Sequence, residues 1–142
     1  MTAVRYADPQ FARISPLKEG AKVVLSYFEF FNLSQYQQVA ALFAEDGRLF
    51  PPFESPIVGQ QHIAQYLTKE ADGMTITVSN SETELLEDGR LQVDVRGKVT
   101  ALVFQVNVAW RFLLTPDQAI ESVKVDLLAT LEELFKIRPT DE

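Results

Sequence analysis

The sequence contains no cysteine, which removes disulfides, thiolate nucleophiles and cysteine-ligated metals from consideration. Its single histidine, His62, leaves little basis for metal catalysis, because zinc and related ions are bound by clusters of His, Cys and carboxylates. Basic residues are few and scattered: 13 Lys and Arg stand against 20 Asp and Glu, for a net charge of −7. Nucleic acid and anionic lipid require clustered cations, so neither is expected as the main partner. No apolar run approaches the roughly 20 residues of a membrane-spanning helix. The opening "MTAVRYADPQFARISP" lacks an apolar segment followed by a small-residue cleavage site, so it does not read as a secretory signal. The cytosol is the simplest compartment. The acidic stretch "SETELLEDG" (Ser81–Gly89) follows no metal-ligand spacing and reads as a solvated strand end and turn.

What is present fits one domain. The 142 residues are 46% hydrophobic and 23% charged, without repeats or linkers. Residues 1–15 contain Pro9 and no sustained periodicity, and read as an N-terminal arm to a single domain over 16–142. From Pro16, the residues Leu17, Ala21, Val24, Phe28 and Phe31 recur at helical spacing, and Asn32 closes the segment. Val23, Tyr27 and Phe30 widen that stripe, so the helix is expected to be buried over much of its girth. Ser34 reads as the cap of a second helix, "QYQQVAALFAEDG", ending at Gly47. A short strand, Arg48–Phe50, leads into the proline-rich "PPFESPIVG". A third helix, "QQHIAQYLTKEADG", is expected to bury Ile63, Tyr66 and Leu67.

After Gly73 the period changes from helix to strand. Met74–Leu86 alternates, "DG" at Asp88–Gly89 marks a hairpin turn, and Leu91, Val93, Val95 and Val99 point inward. The apolar series then moves to even positions: Val106, Val108, Trp110, Phe112 and Leu114. A one-residue phase change exchanges the faces of a strand, which predicts a tight turn or bulge near Val103–Gln105. A loop at Thr115–Gln118 precedes a last strand, Ile120–Leu128, with Val123, Val125 and Leu127 on one face. The tail "TLEELFKI" can form a short amphipathic helix. Three helices followed by a mainly antiparallel sheet make an α+β layout. Helices packed on a strongly curved sheet can enclose a cone with an apolar mouth, a natural small-molecule site.

The stretches "SYFEFFN", "ALFAEDG", "PPFESPIVG", "NVAWRFLL" and "VKVDLLA" resemble, in this order, the C-terminal domain of the cyanobacterial orange carotenoid proteins. They are still more similar to the stand-alone homologues of that domain, and the resemblance spans Lys18 to Leu134. It implies the cone-shaped fold named after nuclear transport factor 2, shared with ketosteroid isomerase and scytalone dehydratase. In the carotenoid-binding relatives a Tyr on the first long helix and a Trp on the sheet hydrogen-bond the pigment's keto oxygen. The matching positions are Tyr27 and Trp110. A phenol O–H and an indole N–H on large apolar bodies each need an acceptor when buried, and one carbonyl oxygen can accept both. Either residue taken alone reads better as a core aromatic bonded to backbone, and it is the pair in the context of the resemblance that favours the ligand role. The resemblance departs at "KVTALVFQVNVAWRF", which is shorter than in the relatives and lacks a further Trp and turning glycines. Val103 and Phe104 stand where that wall is lost. Some relatives also carry a cysteine after the third helix that links dimers; Ala71 stands there, which excludes such a bridge.

The resemblance implies a non-enzymatic carrier for a ketocarotenoid of the canthaxanthin or echinenone type, with roles in carotenoid transfer and singlet-oxygen quenching. Tyr27 and Trp110 would hold the oxygen. Leu25, Phe28, Leu49, Phe53, Val95, Val99, Phe104, Val106, Val108, Val123, Val125 and Leu127 are candidates for the wall, with Pro51 and Pro52 as a donor-free rim. The expected partners are a second copy of the chain, a helical carotenoid-binding domain that accepts the pigment, and at most a transient membrane contact. An enzyme is the alternative. Aligned with ketosteroid isomerase, Tyr27 takes the place of its oxyanion-hole Tyr, but its catalytic base falls on Pro51 and its second acid on Val108. Proton abstraction needs a basic group in reach, which proline and valine do not supply. His62 is the remaining candidate base, while Asp126 and Glu29 are expected on polar faces. A dimerisation scaffold whose cone is filled by its own side chains is the third possibility.

Overall fold

The apolar spacing of the first segment does form a helix. In the computed structural model, which describes residues 3–5 and 17–128, α1 spans Leu17–Asn32. It buries Ala21, Val24, Tyr27, Phe28 and Phe31, a stripe at intervals of three and four residues. Its end is anchored by Asn32. The Asn32 side chain accepts from the Ile76 backbone N–H at 2.7 Å and donates to the Ile76 carbonyl oxygen at 2.8 Å. One amide thereby ties the helix to the sheet strand beneath it.

The second helix is shorter than expected. Helix α2 covers only Tyr36–Ala41 and follows Gln35, with no side-chain cap; Ser34 instead lies in the left-handed region at φ 59°. From Phe43 the chain is already strand β2, Phe43–Phe50. The cause is long-range pairing. Phe43 sits opposite Ile120 in a parallel ladder, and the Ile120 N–H donates to the Leu42 carbonyl at 2.9 Å. Sheet hydrogen bonds and burial of Phe43 outweigh the helix propensity of "AALFAE". Strand β3 (Ile57–Val58) and helix α3 (Gln60–Glu70) follow. Helix α3 buries Ile63, Ala64 and Leu67, whereas Tyr66 is only half-buried.

Strands β4 (Met74–Leu85), β5 (Leu91–Ala101), β6 (Phe104–Leu114) and β7 (Ile120–Leu128) pair antiparallel in succession, and β7 pairs in parallel with β2 on its other side. With β1 (Ala3–Arg5) they form one seven-stranded sheet in the order β1-β4-β5-β6-β7-β2-β3. The phase change in the apolar series has a simple origin. Ala101 pairs with Phe104 across the two-residue turn Leu102–Val103, so odd positions of β5 face even positions of β6. That turn lies slightly before the expected place, and Leu102 occupies the left-handed region at φ 50° without a glycine. A second irregularity bends the sheet: the β4–β5 register shifts between Val78 and Asn80, and the Ser79 hydroxyl donates to the Arg96 carbonyl at 2.9 Å. Gly97 sits opposite this bulge. A Cβ there would collide with the Thr77 carbonyl oxygen and lie 3.0 Å from the Val78 Cα, so the close approach requires glycine. The helices pack on the concave inner face, and the core lies between them.

Most of the arm expected over residues 1–15, and the helix expected in the tail, lie outside the described residues; residues 3–5 pair with β4. No helix among the described residues is long and apolar enough to cross a membrane.

Candidate functional site

The curved inner face and the helices leave a cavity of about 380 Å³. Its floor comes from Tyr27 and Phe31 of α1 and from Val106, Val108 and Trp110 of β6. Leu49, Val99, Val125 and Leu127 continue the wall along neighbouring strands, with Met74 and Ile76 opposite them. Helix α3 adds Tyr66, Leu67 and Glu70, followed by Ala71. The loop after β2 closes one side with Pro51, Pro52, Phe53 and Glu54, and Ala101 and Phe104 close the other. The surface is dominated by aliphatic and aromatic carbon, the composition expected of a site for an apolar molecule.

Three side chains in this wall, Tyr27, Tyr66 and Trp110, carry hydrogen-bond donors, and that of Tyr66 is engaged by Glu54. Tyr27 is 2% exposed and Trp110 is 3% exposed. Phe28 positions both: its ring meets Tyr27 at 5.3 Å and Trp110 at 5.1 Å, edge to face in each case. Phe112 supports Tyr27 from behind, with ring centroids 5.0 Å apart. Neither the Tyr27 hydroxyl nor the Trp110 indole nitrogen has a hydrogen-bond partner among the described residues. Burial alone drives the Tyr27 phenol well above its usual pKa, so it remains a neutral donor. The contrast with Tyr36 is informative. That tyrosine is also buried, yet its hydroxyl donates to the Ala71 carbonyl at 3.1 Å. Among the described residues the sealed polar atoms without a partner are Thr83 Oγ1 and Gln118 Oε1, so the Tyr27 and Trp110 donors remain accessible, and a ligand carbonyl in the cavity is the kind of group that accepts from them.

The structure does not gather all the expected wall residues. Tyr27, Leu49, Phe53, Val99, Phe104, Val106, Val108, Trp110, Val125 and Leu127 line the cavity. Phe28, Val95 and Val123 are buried in the core instead, so they stand behind the wall. Leu25 is 61% exposed on the outer side of α1, one residue off the buried stripe. Phe53 reaches the cavity but is itself 94% exposed, held at φ 63°. Phe31, Glu54, Tyr66, Leu67, Glu70, Ala71, Met74, Ile76 and Ala101 were missed. The signal for Leu67 and Ala71 was available in the apolar spacing of α3; that for Met74 and Ile76 depended on the path of β4 over the helices.

The candidate base is elsewhere. His62 is exposed, with Nδ1 3.0 Å from the Val58 carbonyl oxygen, and it lines a surface groove with Pro56, Gln65 and Lys69. Glu29 and Asp126 are exposed and do not line the cavity. Among the described residues the ionisable groups that do reach it are Tyr27, Tyr66, Glu54 and Glu70. Among the described residues no cluster of three or more His, Cys, Asp or Glu could hold a metal ion.

Comparison with known proteins agrees with this geometry. The model of the nuclear transport factor 2 (NTF2) domain matches residues 19–125. The chain is 37% identical to the orange carotenoid-binding protein of Limnospira maxima over 118 residues, which is 80% of this chain and 37% of that protein. The structure of the orange carotenoid protein of Anabaena (Nostoc) sp. PCC 7120 binding canthaxanthin superposes with a TM-score of 0.73 at 37% identity, covering 81% of this chain and 38% of that one. The match falls on the C-terminal domain, as the sequence motifs implied. An epoxide hydrolase/cyclase-like enzyme of salinomycin biosynthesis shares the fold at a TM-score of 0.63 and 17% identity, over 84% of this chain and 97% of that one. The chain thus spans a little over a third of the length of its carotenoid-binding relatives.

Proposed function

Because the chain belongs to the nuclear transport factor 2 (NTF2) domain family, we propose that it uses the family's cone as a binding site and not as a catalytic one, carrying a ketocarotenoid of the canthaxanthin or echinenone type. The observation that carries this reading is the pair of donor side chains, Tyr27 and Trp110, set in an apolar cavity wall with no acceptor among the described residues. A conjugated ketone supplies one oxygen that accepts from both and a long apolar body that suits the rest of the lining. The carotenoid named for the Anabaena relative supports the choice of ligand. Pro51 and Val108, where an isomerase of this fold keeps its acids, offer no proton acceptor, and His62 faces away from the cavity.

A carotenoid is longer than this cavity, so its free end emerges at the mouth. Exposed apolar side chains surround that exit: Phe53, Phe104 and Leu127 line it, and Leu102 and Val103 extend from it at the hairpin tip. This surface supports a homodimer sharing one pigment, or handover to a helical carotenoid domain, with transfer and singlet-oxygen quenching as the resulting roles.

The test is expression in cells that make canthaxanthin or echinenone, followed by the visible spectrum of the purified protein. The expected product is coloured. Tyr27→Phe and Trp110→Phe are each expected to blue-shift the absorbance or to weaken retention by about tenfold, one lost hydrogen bond to a buried oxygen. A colourless protein that also takes up no pigment from liposomes would sink the reading.

A further inference from the structure

The polar groups of the cavity are arranged by sign and by depth. Its two deep polar groups, on Tyr27 and Trp110, are donors. Among the described residues its two carboxylates, Glu54 and Glu70, are exposed and stand at the mouth, and the lining includes no Lys, Arg or His. The nearest cation in sequence, Lys69, lines the separate groove that holds His62. Glu54 is fixed in place by Tyr66, whose hydroxyl donates to Oε2 at 2.9 Å. Burial, and then that bond and the two carboxylate charges, push the Tyr66 phenol well above its usual range, so it stays a donor and Glu54 the acceptor.

From this arrangement we infer that the cavity selects its cargo by charge, admitting polyenes that end in a neutral carbonyl and rejecting those that end in a carboxylate, with Glu54 and Glu70 as the specificity-determining residues. The inference rests on the carrier reading above. A carboxylate entering first would lose its hydration among apolar walls with no cation among the described residues to pair it, which is far more costly than burying a ketone or aldehyde. In the reverse orientation the carboxylate would lie at the mouth beside Glu54 and Glu70, where like charges repel. Neither orientation is favourable for the acid, and the first is favourable for the aldehyde or ketone.

Retinal and retinoic acid test this, because they share ring and polyene and differ at the terminal carbon, aldehyde against carboxylate. Trp110 is the only tryptophan in the chain and lies in the wall, so quenching of its emission reports occupancy of the cavity itself. Titrated into the full chain at neutral pH and low salt, retinal is expected to bind at least about tenfold more tightly than retinoic acid. The Glu54→Gln, Glu70→Gln double variant should shrink that ratio by about threefold or more, and so should high salt, since exposed charges are readily screened. Glu87→Gln removes the same charge from the exposed β4–β5 turn and should leave the ratio where it was. Thermal melts of the variants establish that they are folded. Equal affinity for the two ligands, or a ratio unmoved by the double variant and by salt, overturns charge selection while leaving the carrier reading standing. Failure to bind retinal and canthaxanthin alike overturns both.

Discussion

Tyr27 and Tyr36 are chemically identical, nearly equally buried, and opposite in what they do for the fold. Tyr36 closes a hydrogen bond to the Ala71 carbonyl; Tyr27 has apolar and aromatic neighbours and no acceptor among the described residues. Removing the two hydroxyls should therefore have opposite consequences. Tyr36→Phe is expected to cost about 1 kcal/mol in urea unfolding, the worth of a buried hydrogen bond whose acceptor is then orphaned. Tyr27→Phe is expected to keep or raise the unfolding midpoint of the ligand-free protein at neutral pH. Alkali supplies a second readout. An unfolded tyrosine ionises near about pH 10, and burial raises the folded value well above that. The stability linked to Tyr27 is fully present below about pH 10 and is lost as pH rises toward the folded value. Tyr27→Phe should make the alkaline decline shallower, measured by urea melts across that range. A side chain that stabilises little and binds a ligand is what a site residue looks like energetically.

Between elements, two connections set the shape of the cone. The first is Asn32, which satisfies both backbone groups of Ile76 and joins the end of α1 to β4. Asn32→Ala leaves a part-buried N–H and C=O unpaired and is expected to cost about 1–3 kcal/mol in a denaturant melt. The second is the β5–β6 turn. Leu102 holds a left-handed conformation that costs a leucine about 1–2 kcal/mol, and its side chain is 95% exposed, so nothing packed repays the strain. Leu102→Gly is expected to stabilise the ligand-free fold by about 0.5 kcal/mol, after the glycine's own entropy is counted. The same substitution removes apolar surface beside the mouth, and it should weaken whatever association that surface supports. Stability and association are then expected to move in opposite directions, read by melting and by gel filtration of one variant.

For the molecule as a whole, the balance lies between a closed core and an open, apolar mouth. The strands and helices bury a continuous cluster from Val24 to Val123, and five of the exposed large side chains, Phe53, Leu102, Val103, Phe104 and Leu127, gather around or beside the cavity exit, while Leu25, Leu33, Val58 and Val78 lie elsewhere. A net charge of −7 disfavours association with anionic partners. Loading with canthaxanthin is expected to convert the protein to a species of twice the chain mass that carries one pigment per two chains, measured by light scattering with absorbance. A coloured species of single-chain mass would show that the pigment's free end is covered in another way.

The amino-acid sequence by itself determined the order of the three helices, of β2 and of the long strands β4 to β7, the inward positions of β5, β6 and β7, and the absence of a proton acceptor at Pro51 and Val108, but not the short strands β1 and β3. These are local properties: the spacing of apolar residues and the identity of a side chain do not depend on distant contacts. The end of α2 was not legible in this way, because Phe43 leaves the helix to pair with Ile120 far along the chain. Nor was the separation of Val95, Val123 and Phe28 from the cavity, since residues on the same inward face divide between core and wall only when the sheet curves and the helices are laid on it. Tyr27 marks the boundary between the two kinds of information. Its place on the inner stripe of α1 follows from periodicity. Whether its hydroxyl finds a backbone acceptor, as Tyr36 does, depends on groups brought near by the fold, and only the tertiary structure could decide it.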